Sequence, residues 1–305
     1  MAGTLSSFQE GLVLSVCPRG ARIIAAWYVR DRLLPCPMCI RAALPTGEVQ
    51  TLILKLDRWA GGVDTETQVL PVLRRHGLPV AEVLAGPARD PAQPELGAMT
   101  VLSLLPGEDL LSWGHRVSAV ERHKIGALAL DAVAWLHRLT GPIRDELNGV
   151  ALPRRTLAVE LRAIMAKGGP WFAEGDVRQA VGQLEALVTR VRTPLVFSNG
   201  DFNPANFLSD GRALTGFVDF GGACWEDPGF GVAKYATYAW LPFDGEVLMQ
   251  HWMARQGSSA EARELRVALA CLWTLRQLPV SPVTERPYDQ RRIRRRLREA
   301  CAQLR

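Results

Sequence analysis

The chain has 305 residues, 48% of them hydrophobic, and a formal net charge of +5 from 36 Lys and Arg against 31 Asp and Glu. This length and apolar share can fill a sizeable core, so we expect one bilobal domain or two small ones. Such a chain should fold without disulfides or structural metal ions. Six cysteines in so long a chain exclude a disulfide framework, and no stretch reaches the roughly 18 uninterrupted apolar residues of a membrane span. We therefore expect a cytoplasmic protein with no membrane partner.

The first hundred residues predict an antiparallel sheet. Apolar and β-branched runs alternate with turn residues such as Thr46-Gly47-Glu48, which indicates strands joined by hairpins. The expected strands are 21–29, 38–44, 49–56, 80–84 and 99–105.

One helix is predicted within this sheet, over residues 65–75. Its apolar residues recur at helical spacing, with Thr65 as the expected N-cap and Gly77 just beyond its end. Pro71 inside the pattern predicts a kink.

After Pro106-Gly107 the sequence changes to long amphipathic stretches. The expected helices are 119–139, 157–166, 174–191, 245–256, 260–278 and 288–303. Together these elements predict an α+β fold, with a small N-terminal sheet lobe over 1–105 and a larger, mostly helical lobe over 106–305.

The last predicted helix carries much of the basic excess. Its arginines are Arg291, Arg292, Arg294, Arg295, Arg296 and Arg298. Because Ile293 and Leu297 are four residues apart, the pattern is typical of an amphipathic helix with a solvated basic face. The alternative is a polyanion site, but a charge run alone is weak evidence for one, and we expect no nucleic-acid partner.

The segment over 195–233 reads LVFSNGDFNPANFLSDGRALTGFVDFGGACWEDPGFGVA. A short apolar strand leads to Asp201, Asn206 follows five residues later, and a second strand leads to Asp219. A turn at Ser209-Asp210-Gly211 indicates a hairpin, and the ends of its strands lie side by side. These side chains can therefore converge on one metal ion.

Such residues suit phosphoryl transfer, in which a protein positions a hydroxyl and neutralises phosphate charge with a metal. Asp201 suits the carboxylate that accepts or orients the hydroxyl proton. Asn206 and Asp219 offer the hard oxygen ligands that Mg²⁺ prefers. The competing interpretation is that Asp201 and Asn206 are ordinary turn residues.

The segment resembles the aminoglycoside phosphotransferase family and its choline-kinase-like relatives, and more distantly the catalytic and metal-binding loops of protein kinases. The matching residues are Gly200, Asp201, Pro204, Asn206, Gly216, Val218, Asp219, Phe220, Asp227, Pro228 and Ala233. The resemblance implies a bilobal protein-kinase-like fold, with Asp201 as catalytic base and with Asn206 and Asp219 as ligands of Mg²⁺.

Earlier residues extend the resemblance. Lys55, in Leu54-Lys55-Leu56, stands where the family has its phosphate-contacting lysine, and Glu66 opens the helix that would hold this lysine by an ion pair. Residues 104–108 match the family's hinge, so the resemblance implies that Ser103 and Leu105 join Lys55 and Glu66 in binding ATP or GTP. Taken alone, Lys55 is an ordinary surface lysine.

Three departures from the family keep a second class of function open. Asn199 replaces a histidine, Gly231 replaces an aspartate, and no glycine lies between Gly20 and Gly47 to make a glycine-rich loop. Asn199 and Gly231 favour a catalytically weak, pseudokinase-like binding protein, whereas the intact site residues argue for an enzyme. A protein kinase would need a glycine-rich loop and a longer activation segment.

The resemblance implies Mg²⁺-dependent transfer of the γ-phosphate of a nucleotide to a hydroxyl of a small molecule. The stretch over 235–246 looks closest to the hygromycin-type branch, which indicates an antibiotic such as an aminoglycoside, or a sugar. Nucleosides and amino alcohols are the other acceptors of the family, and the basic net charge favours a neutral or anionic one. We expect a monomer or homodimer.

Overall fold

The computed structural model describes residues 3–29, 37–57, 61–191, 193–236, 242, 244–255, 259–278 and 290–304. In these ranges the α-helices are α1 (Ser7–Leu14), α2 (Gly62–Arg75), α3 (Leu110–Arg116), α4 (Ala119–Arg138), α5 (Thr140–Arg144), α6 (Leu157–Lys167), α7 (Gly175–Arg190), α8 (Phe230–Ala233), α9 (Gly245–Arg255), α10 (Ala260–Gln277) and α11 (Gln290–Gln303). The strands are β1 (Arg22–Tyr28), β2 (Met38–Ala43), β3 (Val49–Leu56), β4 (Val83–Arg89), β5 (Ala98–Ser103), β6 (Glu108–Asp109), β7 (Arg154–Arg155), β8 (Val196–Ser198), β9 (Phe207–Ser209), β10 (Leu214–Phe217) and β11 (Cys224–Glu226).

The chain divides into two compact units. Unit 1 comprises Met1–Leu110, Leu139–Leu152 and Asn199–Ala223. Unit 2 comprises Leu111–Arg138, Pro153–Ser198 and Cys224–Arg305.

Unit 1 contains the predicted antiparallel sheet, five strands in the order β1-β2-β3-β5-β4. The first three strands lie where the sequence predicts them. The strand predicted over 80–84 is displaced, because Val80 forms only an isolated bridge to Phe217 and β4 begins at Val83.

Alternation along β3 separates its apolar side chains from Lys55. Leu52, Leu54 and Leu56 are buried on one face of the sheet, where they pack with Val13 of α1. Because successive side chains of a strand point to opposite faces, Lys55 lies on the other face.

Helix α2 begins three residues earlier than predicted. Gly61 in the left-handed conformation is its N-cap, so the prediction of Thr65 as N-cap is wrong. The carboxylate of Asp57 accepts hydrogen bonds from the N–H groups of Gly61 (3.3 Å) and Val63 (2.6 Å). Asp57 thus satisfies backbone donors that an N-cap side chain usually binds.

A second, three-stranded sheet of unit 1 has the order β10-β9-β6. Its antiparallel β9–β10 hairpin confirms the turn predicted at 209–211. A hydrogen bond joins this hairpin to the residues before β6: the Thr215 hydroxyl donates to the Pro106 carbonyl at 2.8 Å. Gly107 has φ +100°, and a Cβ there would lie 2.9 Å from the carbonyl oxygen of Ser209, so this tight approach requires glycine.

Unit 2 holds the long predicted helices, whose described ends lie within two residues of the predicted ones, and a small sheet in the order β7-β11-β8. Helix α11 is amphipathic as predicted, since Ile293 and Leu297 are buried. Part of its basic face is used inside the unit, because Arg294 pairs with Glu174 and lies over the ring of Trp171. Within the described ranges, no helix has both the length and the apolar character that crossing a membrane requires.

We predict that Leu54→Ala lowers the free energy of unfolding by about 2–5 kcal/mol, because Leu54 is fully buried in the core of the sheet. The matched control is Leu104→Ala, at a leucine that is 52% exposed, and it should change stability by less than about 0.5 kcal/mol. Urea unfolding midpoints measure both effects. Equal midpoints for the two variants would contradict the placement of Leu54.

Candidate active site

A buried carboxylate on α2 is the first element of the site. Glu66 shares one helix face with Val63, Val69 and Leu73, and only 2% of its surface is exposed. A carboxylate on an apolar face requires charged and hydrogen-bonding partners, because its burial alone is costly. The partner is Lys55, whose Nζ lies 2.7 Å from Glu66 Oε2.

Lys55 also reaches Asp219, the residue after the second strand of the motif. Its Nζ donates to Asp219 Oδ1 at 2.8 Å, so one ammonium bridges two carboxylates. We call Lys55, Glu66 and Asp219 the Lys55 triad. The three side chains come from the sheet, from α2 and from the end of β10, and unit 1 brings them together.

The two carboxylates of the Lys55 triad keep the lysine protonated. Burial by itself lowers the pKa of Lys55, but attraction to the carboxylates of Glu66 and Asp219, with hydrogen bonds to both, raises that pKa well above its ordinary value. The ammonium is therefore charged over the whole physiological pH range.

The backbone around Asp219 is fixed on both sides. The Phe220 N–H donates to Glu66 Oε1 at 3.0 Å, and the Val218 N–H donates to the Asn206 carbonyl at 3.0 Å. Asp219 itself has φ +64° and is the one non-glycine residue in the described ranges with a positive φ. Such a conformation costs about 1–3 kcal/mol and persists where neighbouring contacts enforce it.

Asn206 lies beside Asp219 at the open end of the β9–β10 hairpin. Its Nδ2 donates to the Asp201 carbonyl at 2.9 Å, and this bond does not use the amide oxygen, which is an acceptor. The Asp219 carboxylate is 54% exposed. The described residues contain no group of three or more His, Cys, Asp or Glu that could hold a metal. Asn206 and Asp219 are a smaller donor set, of the kind that suits Mg²⁺ when substrate phosphates and water complete its shell.

The loop that carries Asp201 is held by short polar contacts within unit 1. The buried Asn199 accepts a hydrogen bond from the Asp201 N–H at 3.2 Å, so its amide does orient the loop backbone. Gly200 has φ +81°, and a Cβ there would lie 1.8 Å from the Gly222 carbonyl oxygen. The Asp201 side chain is exposed, as an acceptor of a substrate proton must be.

Ser103 lies away from the Lys55 triad, and the Leu105 side chain lies close to Gly216 of β10. Ser103 ends β5, and its hydroxyl accepts the Glu82 N–H at 2.8 Å. Lys55 of β3 lies opposite Thr100 of β5 in the sheet. Ser103 is three residues further along β5, so it lies about 10 Å along the sheet from Lys55. No contact among those described joins Ser103 or Leu105 to the triad.

Asp227 of the motif and the histidine His137 make their described contacts within unit 2. Asp227 accepts the Leu157 N–H at 2.6 Å and the Thr193 hydroxyl at 3.3 Å, so it caps the start of α6. His137 packs edge to face on Trp252, and burial lowers its pKa to about 4.

Glu226 is an acid whose burial the sequence did not predict. It is 1% exposed, and its Oε1 accepts the N–H of Gly231 at 3.1 Å. Burial raises the pKa of Glu226 to about 7, although Arg155, Lys234 and hydrogen bonds from Gly231 and Ser198 oppose this. Gly231 stands where the family has an aspartate. Its backbone N–H contacts a carboxylate from another position, that of Glu226 at the end of β11. A Glu directly after an apolar strand and before Asp-Pro was the available signal.

The sequence profile of the phosphotransferase enzyme family matches residues 43–267. No curated protein matches the chain. Among solved structures, the aminoglycoside phosphotransferase APH(4)-Ia is 15% identical, with 92% of this chain and 94% of that chain covered and a TM-score of 0.65.

Two further structures show the same likeness. The GDP complex of aminoglycoside 2'-phosphotransferase-IIIa is 16% identical over 96% of this chain and 97% of that chain, with a TM-score of 0.66. A thermostable APH(4)-Ia mutant with ADP and hygromycin B is 13% identical over 96% and 97%, with a TM-score of 0.61. These likenesses confirm the predicted α+β, protein-kinase-like fold.

We predict that Gly200→Ala destabilises the protein by at least about 2 kcal/mol, because a side chain is strained at this φ and meets the Gly222 carbonyl. Gly141→Ala, in α5 with open space around it, is the control and should be neutral or stabilising. Denaturant unfolding compares the two. A neutral Gly200→Ala would show that the loop does not need this close approach.

We predict that Glu226 makes the stability of the protein fall as the pH rises. The folded protein keeps a proton on Glu226 between pH 4.5, the ordinary carboxyl value, and about pH 7, while the unfolded chain has lost it. The free energy of unfolding should fall through this window by about 3 kcal/mol at most.

Glu226→Gln removes this titration and keeps the shape of the side chain. Urea unfolding at pH 5 and pH 8, at fixed ionic strength, should show the larger loss of stability in the wild type. Parallel pH profiles for the two proteins would contradict a raised pKa at Glu226.

Proposed function

The chain belongs to the phosphotransferase enzyme family, and from this we propose that it transfers the γ-phosphate of ATP or GTP, with Mg²⁺, to a hydroxyl group of a small molecule. The observation that carries the proposal is the Lys55 triad with Asn206 beside it. A cation and the two carboxylates that hold it meet in unit 1, and the backbone of Asn206 is hydrogen-bonded to the residue before Asp219.

Lys55 is proposed to contact the nucleotide phosphates, with Glu66 holding its ammonium in place. Asn206 and Asp219 would hold Mg²⁺, which when bound neutralises charge on the phosphates. Ser103 and Leu105 are proposed contacts of the nucleotide base, on the assumption that residues 1–105 form the nucleotide-binding lobe. Relatives bound to GDP, ADP and AMP-PNP support nucleotide use.

Asp201 is proposed as the catalytic base. Its exposed carboxylate can accept the hydrogen bond of an acceptor hydroxyl and take its proton as the oxygen attacks the γ-phosphorus. The bond to the β-phosphate oxygen breaks in the same displacement, and the nucleoside diphosphate leaves. Asn199, Asn206 and Gly200 keep the loop in position, so the carboxylate meets the hydroxyl with little loss of entropy.

The acceptor is proposed to bind residues of the lobe over 106–305. The relatives in complex with hygromycin B and with kanamycin favour an antibiotic or another polyhydroxylated molecule. Sugars, nucleosides and amino alcohols share the required hydroxyl, and the net charge of +5 favours a neutral or anionic acceptor over a polycation. Half of the stretch over 235–246, the basis of the likeness to the hygromycin-type branch, lies outside the described residues.

A nucleotide-binding protein with weak or no turnover is the second candidate. Asn199 and Gly231, which depart from the family motif, favour it. The Asn199 contact with Asp201 weighs against it, because the Asn199 amide still binds the backbone of the loop that carries Asp201. Cytoplasmic location and a monomeric or homodimeric state stay predictions.

We predict that Mg²⁺ with ATP or GTP raises the unfolding temperature of the wild type, and that Asp219→Asn removes the Mg²⁺-dependent part. At about 100 times the dissociation constant the nucleotide adds about 2.7 kcal/mol to the free energy of unfolding. Asp145→Asn, at an exposed aspartate of unit 1, is the control and should respond like the wild type. No response of the wild type at millimolar nucleotide would refute the proposal.

We predict that Asp201→Asn keeps this nucleotide response, because Asp201 is not a proposed contact of the nucleotide. Turnover should fall by about 10²–10⁴-fold, because the variant lacks the general base. The release of ADP or GDP with a panel of hydroxylated acceptors measures turnover. Wild-type binding without turnover on any acceptor would favour the second candidate.

A further inference from the structure

A cavity of about 250 Å³ lies among α9, α10 and α11 in unit 2. Met249 and Met253 of α9 give it an apolar wall, and Gln250 and Gln303 add amide groups. Two arginines, Arg266 of α10 and Arg296 of α11, also line it. The proposed phosphotransfer uses none of these residues.

Arg266 is the unusual member of this lining. It is only 5% exposed, and its Nε has no hydrogen-bond partner among the described residues. Burial lowers the pKa of Arg266, and the neighbouring charge of Arg263 acts in the same direction. A guanidinium does not lose its proton under physiological conditions, so the cost of this buried charge needs a compensating anion.

Three other partly buried arginines of unit 2 have such an anion within the chain. Arg155 and Arg276 pair with Glu160, and Arg294 pairs with Glu174.

The carboxylates close to Arg266 in sequence or in the cavity wall are used elsewhere. Glu264 pairs with Arg190 at 2.7 Å, and the exposed Glu299 lies 3.7 Å from Arg295. Among the described residues, none supplies Arg266 with a carboxylate partner.

We propose that this cavity binds a small oxyanion, a phosphate or carboxylate group of a metabolite, and that Arg266 neutralises its charge. The planar guanidinium fork matches the oxygen atoms of both groups. The volume is below the roughly 300–1,000 Å³ of pockets for drug-sized ligands, so it suits a small anion. The inference is independent of the proposed nucleotide, metal and catalytic-base residues, because it uses none of them.

The test compares the wild type, Arg266→Met and the control Arg263→Met, an exposed arginine on the same helix. Thermal unfolding is measured in chloride buffer and with inorganic phosphate or succinate, all at one ionic strength so that general screening is constant. We expect phosphate, succinate or both to raise the unfolding temperature of the wild type and of Arg263→Met by about 2–4 °C. The more effective anion identifies the group that the cavity prefers.

Arg266→Met should lose this response, and in chloride it should unfold no earlier than the wild type, because an apolar side chain replaces an uncompensated charge. If Arg266→Met responds like the wild type, or if the wild type responds to neither anion, the proposal is overturned.

Arg266→Lys keeps the charge without the fork and serves if the methionine variant does not fold. Isothermal titration should then show an affinity for the preferred anion about tenfold lower than in the wild type. An unchanged affinity would overturn the proposal.

Discussion

Burial of the Glu66 carboxylate is the constraint on which the candidate site depends. A charge on the apolar face of α2 needs a cation, and Lys55 is presented by the strand face opposite the core of the sheet. The second oxygen of Glu66 needs a donor and takes the Phe220 N–H. One buried acid thus joins the sheet, α2 and the segment after β10. Through its bond to Phe220 it fixes the backbone position next to Asp219.

Close approach of backbones is the second constraint on the site. Gly200 faces the Gly222 carbonyl, and a Cβ on Gly221 would lie 3.2 Å from the Gly62 carbonyl oxygen. The loop that carries Asp201 can therefore lie against Gly222 only with glycine at position 200, and a side chain at position 221 would require a small shift of the neighbouring backbone. These contacts hold the polar side chains at fixed positions, as the proposed reaction requires.

Much of this architecture follows from local sequence patterns. Alternation and helical spacing were enough to place β1 to β3 and the long helices of unit 2, although not the short helices α3 and α8, because burial of one face fixes both periods. The pairing of Lys55 with Glu66 came from the resemblance to a family, since neither residue carries a local signal of the other. The start of α2 was misplaced because Asp57, five residues before the helix, binds the N–H groups of its start in place of an N-cap side chain.

Buried charges were the least predictable feature. Glu226 lies in a segment whose pattern fits a strand, and Arg266 lies in one whose pattern fits an amphipathic helix. The hydrophobic period of a segment does not indicate which of its polar residues is buried. The positive φ of Asp219 was equally hidden, because three separate segments enforce it. The roles of the site residues and the lobe boundary at 105 stay predictions.

The central claim is that Glu66 acts on the nucleotide through Lys55. Its most direct test is a double-mutant cycle, with Mg²⁺-nucleotide affinity measured by isothermal titration for Lys55→Met, Glu66→Gln and the double variant. We expect each single variant to bind more weakly than the wild type, and the double variant to bind no more weakly than Lys55→Met. Losses that add in the double variant would mean that the two side chains act independently, and this would contradict the account.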